Sequence, residues 1–230
     1  MQCNKKVAPW TFLPQEFIGP MAQQPRAAYG FGMANPPKSI AAVIVAAGRG
    51  ERAGKADGPK QYRLIGGEPI IRKALRAFVD HPGISQVAVA IHADDLSLFR
   101  DSAGPYADKV LIVLGGASRQ ASTLAALQEL TAHAPDAVLI HDGVRPFVDA
   151  SLIDRVIRGL TEGGGVVPAM PVTDTLKLGV DGEVTGTVDR KLLFSAQTPQ
   201  GFPFAPILAA HQRAARAVTT SFTDDASIAE

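Results

Sequence analysis

The chain has 230 residues but a single cysteine, Cys3, and no apolar run near the roughly 20 residues that a bilayer span requires. One thiol cannot close an intramolecular disulfide, so the expected setting is reducing and cytoplasmic, with no membrane partner. Charge of one sign is also lacking, because 23 basic residues face 22 acidic ones. No overall field recruits nucleic acid, and any phosphate binding must be local. Residues 1–38 lack both the compact apolar stretch of a secretory signal and any helical or strand periodicity, although they hold Trp10, Phe12, Phe17, Tyr29 and Phe31. They read as a disordered N-terminal extension. Met33, six residues before the first apolar run, is a candidate start of translation, which would make residues 1–32 an over-extended reading.

What is present begins at Ser39. With 46% hydrophobic and 20% charged residues, the chain can bury one sizeable core, and residues 39–230 read as one catalytic domain. Apolar runs of strand length alternate with amphipathic stretches of helix length, the α/β pattern. Residues 40–47 form a continuous apolar run, as in a parallel strand covered on both faces. Helices are expected at residues 69–79 and 119–131, and further strands at 87–91, 110–114 and 137–140. The segment of about residues 172–196 breaks this rhythm. Two alternating runs flank Val180-Asp181-Gly182-Glu183, and Asp-Gly is a strong hairpin signal, so a protruding β-arm is expected. A solitary hairpin is marginal in water, which points to packing against the core or a homodimer built through the arms. Residues 223–230 read as an N-cap, acidic first turn and helix start.

The strongest chemical signal is Val45-Ala46-Ala47-Gly48-Arg49-Gly50-Glu51-Arg52, followed by Pro59-Lys60-Gln61-Tyr62. At the end of a parallel strand, small residues let backbone N–H groups approach a nucleotide, and Arg52 and Lys60 add charge. The spacing is neither that of a Gly-Lys-Ser/Thr phosphate loop nor that of a dinucleotide fingerprint. Asp142 follows a short apolar strand and should project from its C-terminal end, where open α/β sheets bind ligands.

The loop resembles the signature of nucleotidyltransferases, specifically the 2-C-methyl-D-erythritol 4-phosphate cytidylyltransferase family. Four further segments match that family in order: residues 115–122 (Gly-Gly-Ala-Ser-Arg-Gln-Ala-Ser), 141–146 (His-Asp-Gly-Val-Arg-Pro), 171–177 (Pro-Val-Thr-Asp-Thr-Leu-Lys) and 187–190 (Thr-Val-Asp-Arg) leading to Gln197-Thr198-Pro199-Gln200. The resemblance implies a Rossmann-like nucleotidyltransferase sheet, mostly parallel, with helices on both faces. It implies transfer of CMP from CTP to 2-C-methyl-D-erythritol 4-phosphate, with release of pyrophosphate, in the non-mevalonate isoprenoid pathway. By the same resemblance Ala46, Ala47, Gly48 and Gly50 wrap the CTP phosphates, while Arg52 and Lys60 stabilise charge at the α-phosphate. Gly116, Ala117 and Ser122 read cytosine, although the family often has aspartate at the position of Ala117. Asp142 holds Mg²⁺. Thr175 and Arg190 bind the methylerythritol phosphate, Arg190 counting with Arg52 and Lys60 as catalytic.

His141 invites a general-base role, but the attacking phosphate oxygen is already an anion and needs no proton removed. Arg145 is expected to organise the loop or contact nucleotide. The family continues past the Thr-Asp-Asp-Ala-Ser segment to an Asn-Ile-Lys-like motif that this sequence does not reach, and bifunctional versions carry a cyclodiphosphate synthase domain after it. Two alternatives stay open. One is a ribitol 5-phosphate cytidylyltransferase, against which the 187–190 segment argues. The other is a CTP-binding fragment without turnover.

Overall fold

The computed structural model describes residues 10–14 (backbone only), 36–49, 58–162, 164–217 and 222–230. In chain order the strands and helices are β1 (Trp10–Pro14), β2 (Ile40–Ala46), β3 (Leu64–Ile65), β4 (Glu68–Pro69), α1 (Ile70–Val79), β5 (Gln86–Ile91), α2 (Leu96–Ala103), β6 (Leu111–Leu114), α3 (Arg119–Leu130), β7 (Ala137–Asp142), α4 (Ala150–Glu162), β8 (Gly165–Pro171), β9 (Lys177–Val180), β10 (Glu183–Thr187), β11 (Phe194–Ala196), β12 (Gln200–Pro203), α5 (Phe204–Arg216) and α6 (Asp225–Ala229).

The main sheet runs β1-β8-β12-β7-β2-β5-β6, with β11 also paired to β8. Neighbours β2–β7, β2–β5, β5–β6 and β1–β8 are parallel, while β12 and β11 are antiparallel insertions. The mostly parallel α/β class expected from the sequence is borne out. Because successive strand residues point to opposite faces, each buried strand feeds two cores. Ile40, Ala42, Ile44 and Ala46 of β2, with Val87, Val89 and Ile91 of β5, pack under α1, α2 and α4. The alternate residues Ala41, Val43, Ala88, Ala90, Val138 and Ile140 pack under α3, α5 and α6. Ile71, Leu75 and Phe78, at helical spacing on α1, are fully buried, each worth about 1.5–3 kcal/mol of transfer free energy.

The expected arm is a hairpin of β9 and β10, and Asp181 (φ 51°) and Gly182 (φ 86°) both take the positive φ that a two-residue primed turn demands. Its strands are exposed on both faces. At the chain's end Asp224 caps α6, accepting from Ser227 N at 2.9 Å while Ser227 Oγ accepts from Asp224 N. Within residues 1–38, where the sequence leads one to expect disorder, Trp10–Pro14 pairs parallel to β8 with Trp10 opposite Gly165 and Pro14 opposite Ala169. The free edge of β8 supplies hydrogen-bond partners that no local periodicity announces. The rest of that lead up to residue 35 lies outside the described residues.

Candidate functional site

The strand order reverses at β2: the chain moves outward to β5 and β6, then returns to β7 on the other side of β2. That switch point opens a crevice at the carboxyl ends of β2 and β7, where Val45 is the register partner of Asp142. Ala46 and Ala47 close β2 and are buried, and Gly48 emerges exposed. The amide of Gln61, itself 2% exposed, donates to the carbonyls of Ala46 (2.7 Å) and Gly48 (3.1 Å). The strand end is thereby tied to the Pro59-Lys60-Gln61-Tyr62 segment, and Lys60 stands exposed beside it. Gly50 and Arg52 lie outside the described residues.

The β6–α3 connection closes the same end. Gly115 N donates to Ile91 O at 2.7 Å. A Cβ on Gly115 would sit 2.4 Å from Ala47 Cβ and 2.8 Å from Ser122 Oγ, so only glycine permits this approach. Gly116 and Ala117 are exposed. Ser122 is 1% exposed, and its hydroxyl accepts from Gly116 N (3.1 Å) and donates to Ser118 O (2.9 Å). The hydroxyl expected to read cytosine therefore braces the loop that presents Gly116 and Ala117.

Asp142 sits in a clamp. Its Oδ1 accepts from Arg119 Nε (3.1 Å) and Nη2 (3.0 Å), and its Oδ2 from Arg145 Nε (3.1 Å). Arg119 Nη2 also donates to Asp225 Oδ2 at 2.8 Å. Burial works against the Arg119 charge, but Asp225 and then Asp142 outweigh it and raise the guanidinium above its ordinary range. Asp225 is fully buried, with His211 Nε2 3.3 Å from its other oxygen. Burial alone would raise this carboxyl; His211 and Arg119 together hold it below the ordinary carboxylate range.

His141, fully buried, has both ring nitrogens engaged. Nε2–H donates to Arg145 O (3.0 Å), and Nδ1 accepts from the Thr198 hydroxyl (2.9 Å), which itself accepts from Asp142 N (3.3 Å). Burial pushes the imidazole down to about 4, so it is neutral at physiological pH and braces the Asp142 turn.

Thr175 and Arg190 occupy the root of the arm, both exposed, where Val188 N bonds Leu176 O and Arg190 donates to the Thr173 carbonyl. Arg145 bridges toward that side by donating to Gln197 Oε1. A cleft of about 220 Å³ is lined by Arg119, Asp142, Arg145, Gln197, Thr198 and Asp224, among others. Arg119, Asp225, Thr198 and Gln61 were not singled out from the sequence. A glutamine or threonine inside an otherwise matching motif looks like filler until its burial is seen. Among the described residues, no group of three His, Cys, Asp or Glu side chains could hold a metal. A carboxylate offers about four lone-pair sites, and Asp142 uses three, leaving one for a cation whose other ligands are phosphate oxygens and water.

A family model described as "IspD: 2-C-methyl-D-erythritol 4-phosphate cytidylyltransferase" matches residues 40–230. The chain is 55% identical over 195 residues to a bifunctional enzyme IspD/IspF of Chelativorans sp. (strain BNC1), covering 84% of this chain and 48% of that protein. It is 55% identical over 192 residues to the enzyme of the same name in Mesorhizobium japonicum, covering 83% and 47%. The chain thus spans about half the length of the curated relatives it matches. Among solved structures, the 4-diphosphocytidyl-2C-methyl-D-erythritol synthase of Anaerococcus prevotii DSM 20548 superposes with TM-score 0.71 at 30% identity, covering 83% of this chain and 81% of that one. The 2-C-methyl-D-erythritol 4-phosphate cytidylyltransferase of Thermus thermophilus gives 0.64 at 31%, covering 81% of each.

Proposed function

This chain belongs to the 2-C-methyl-D-erythritol 4-phosphate cytidylyltransferase family, and from that premise we propose that it transfers the cytidylyl group of CTP to 2-C-methyl-D-erythritol 4-phosphate. A phosphate oxygen of the acceptor attacks the α-phosphorus in line, the α–β anhydride bond breaks, and pyrophosphate leaves. Attack of one phosphate on another brings anions together, a repulsion that fixed positive groups offset. Lys60 and Arg52 carry that role, Ala46, Ala47, Gly48 and Gly50 approach the phosphates through their backbone, and Gly116 and Ala117 face the cytosine. Thr175 and Arg190 hold the acceptor, the arginine fork suiting a terminal phosphate. Mg²⁺, held by Asp142, would supply further charge neutralisation on the triphosphate.

The observation that carries this reading is the Asp142 carboxylate, clamped by Arg119 and Arg145 at the end of β7 beside the end of β2. The test is pyrophosphate release with CTP and Mg²⁺, given either methylerythritol phosphate or ribitol 5-phosphate, with Asp142→Ala and chelator controls. Release with methylerythritol phosphate alone, lost in both controls, is expected. Release with ribitol 5-phosphate would shift the acceptor, and CTP binding without turnover would mark a fragment that binds but does not catalyse.

The arm supports a homodimer. Leu178, Val180 and Val184 are 54%, 60% and 69% exposed, and a second copy would cover them. No helix among the described residues is long and apolar enough to cross a membrane.

A further inference from the structure

Arg49, inside the glycine loop, would ordinarily be read as a ligand for the triphosphate. Its guanidinium is turned elsewhere. Nη1 donates to Asp95 Oδ1 at 2.8 Å, and Nη2 donates to Asp94 Oδ2 at 2.9 Å and to His92 Nδ1 at 2.8 Å. Three of about five N–H donors are therefore engaged by the turn that follows β5 and leads into α2.

That turn is built to receive them. His92 Nδ1 also accepts from Asp94 N at 3.2 Å, which orients the ring. The Asp95 side chain is 5% exposed, and a buried carboxylate requires a cationic partner, which Arg49 supplies. Asp95 Oδ2 has no hydrogen-bond partner among the described residues, so Arg49 is the cation that compensates the Asp95 charge there. Tyr62 adjoins Gln61, whose amide ties down the carbonyls of Ala46 and Gly48. The start of the nucleotide loop is thus fixed by Gln61 from one side and by the Asp95 turn from the other.

We propose that Arg49 is a positioning residue: pinned by Asp95, it fixes the backbone of Ala47, Gly48 and Arg49 at the mouth of the nucleotide site and does not itself bind the phosphates. The proposal rests on the CTP reading above and deepens it. It makes a prediction of unusual sign. Removing an acidic side chain beside a polyphosphate site tightens CTP by charge alone, whereas cutting the pin loosens it.

The experiment is calorimetric CTP binding with Mg²⁺ for the unaltered protein, Arg49→Met, Asp95→Asn, the double variant and Asp94→Asn, with a thermal melt for each. Asp94 is 76% exposed, so its variant keeps the fold and still reports if Asp95→Asn does not fold. Arg49→Met and Asp95→Asn are each expected to weaken CTP about tenfold, with the double variant no weaker than the weaker single one. Asp94→Asn is expected to weaken CTP by a smaller factor with an unchanged melting temperature. Tighter or unchanged CTP binding in Asp95→Asn or Asp94→Asn, with loss in Arg49→Met, would make Arg49 a phosphate ligand and overturn the pin. Unchanged binding in every variant would reduce the contact to a structural ion pair and overturn it too. If the unaltered protein bound no CTP, the CTP reading would fall and the pin with it.

Discussion

Acidification is expected to destabilise the protein through His141, and the size of the effect follows from its burial. The imidazole is held at about 4 against an ordinary 6.5, chiefly because it is cut off from water. The sign follows from linkage. A histidine whose native pKa is depressed binds its proton more readily when unfolded, so it leaves stability untouched above pH 6.5 and lowers it as pH falls toward 4. At about 1.4 kcal/mol per pH unit, the full interval is worth about 3 kcal/mol, most of it expressed by pH 4.5. That is a sizeable share of the roughly 5–15 kcal/mol of a typical domain.

The assay is urea unfolding of the unaltered protein and His141→Phe at pH 7.5 and pH 4.5. At neutral pH the variant is less stable by about 1–3 kcal/mol, because the Thr198 hydroxyl and Arg145 carbonyl lose their partners. Other titrating groups act on both proteins, so the gap between them isolates His141. The gap should close, or reverse, by about 2–3 kcal/mol on going to pH 4.5. A gap constant across this range would refute the argument, because it would mean that the imidazole protonates as easily folded as unfolded.

Gly115→Ala places a Cβ 2.4 Å from Ala47 Cβ and 2.8 Å from Ser122 Oγ. It should cost about 1–3 kcal/mol, or about 2–4 °C of melting temperature per kcal/mol, with Ala47→Gly recovering part of the loss; an unchanged melt would show that the two loops do not meet. If the arm builds the proposed homodimer, paired Leu178→Asp and Val184→Asp substitutions should turn it into monomers by sedimentation while leaving the melt of the main sheet in place. A monomeric unaltered protein would remove the reason for the exposed arm.

Much of the scaffold was legible because it rests on short-range physics. The uninterrupted apolar run of residues 40–47 reads as a strand covered on both faces and Asp181-Gly182 as a tight turn, and the structure has β2 over Ile40–Ala46 and positive φ at both turn residues. Residues 200–203, Gln-Gly-Phe-Pro, carry no strand pattern, yet they slot antiparallel between β7 and β8. There Gly201 has no room for a side chain, with Val156 Cγ1 2.7 Å from its would-be Cβ. β1 likewise exists because an edge was free. In the site, the strand-end position of Asp142 could be read, but its clamp could not. Arg119 reaches across 23 residues to Asp142 and across 106 to Asp225, contacts fixed by tertiary packing and not by any spacing in the chain.

The distribution of paired charge bears on how the site could work. Arg119 and Arg145 are met by Asp142 and Asp225, and Arg49 by Asp94 and Asp95. The first cluster balances and the second carries one more negative than positive charge, so neither attracts an incoming triphosphate and both serve to orient. No carboxylate among the described residues pairs with Lys60. On the proposed reading the net positive charge comes from Lys60, Arg52 and a divalent cation, while the paired arginines set where the carboxylate of Asp142 and the backbone of Gly48 stand. Because Asp225 opens α6 and His211 lies on α5, the last helices of the chain hold Arg119, and through it Asp142, in place. Helical packing on one face of the sheet is thereby linked, through Arg119, to the carboxylate at the carboxyl end of β7.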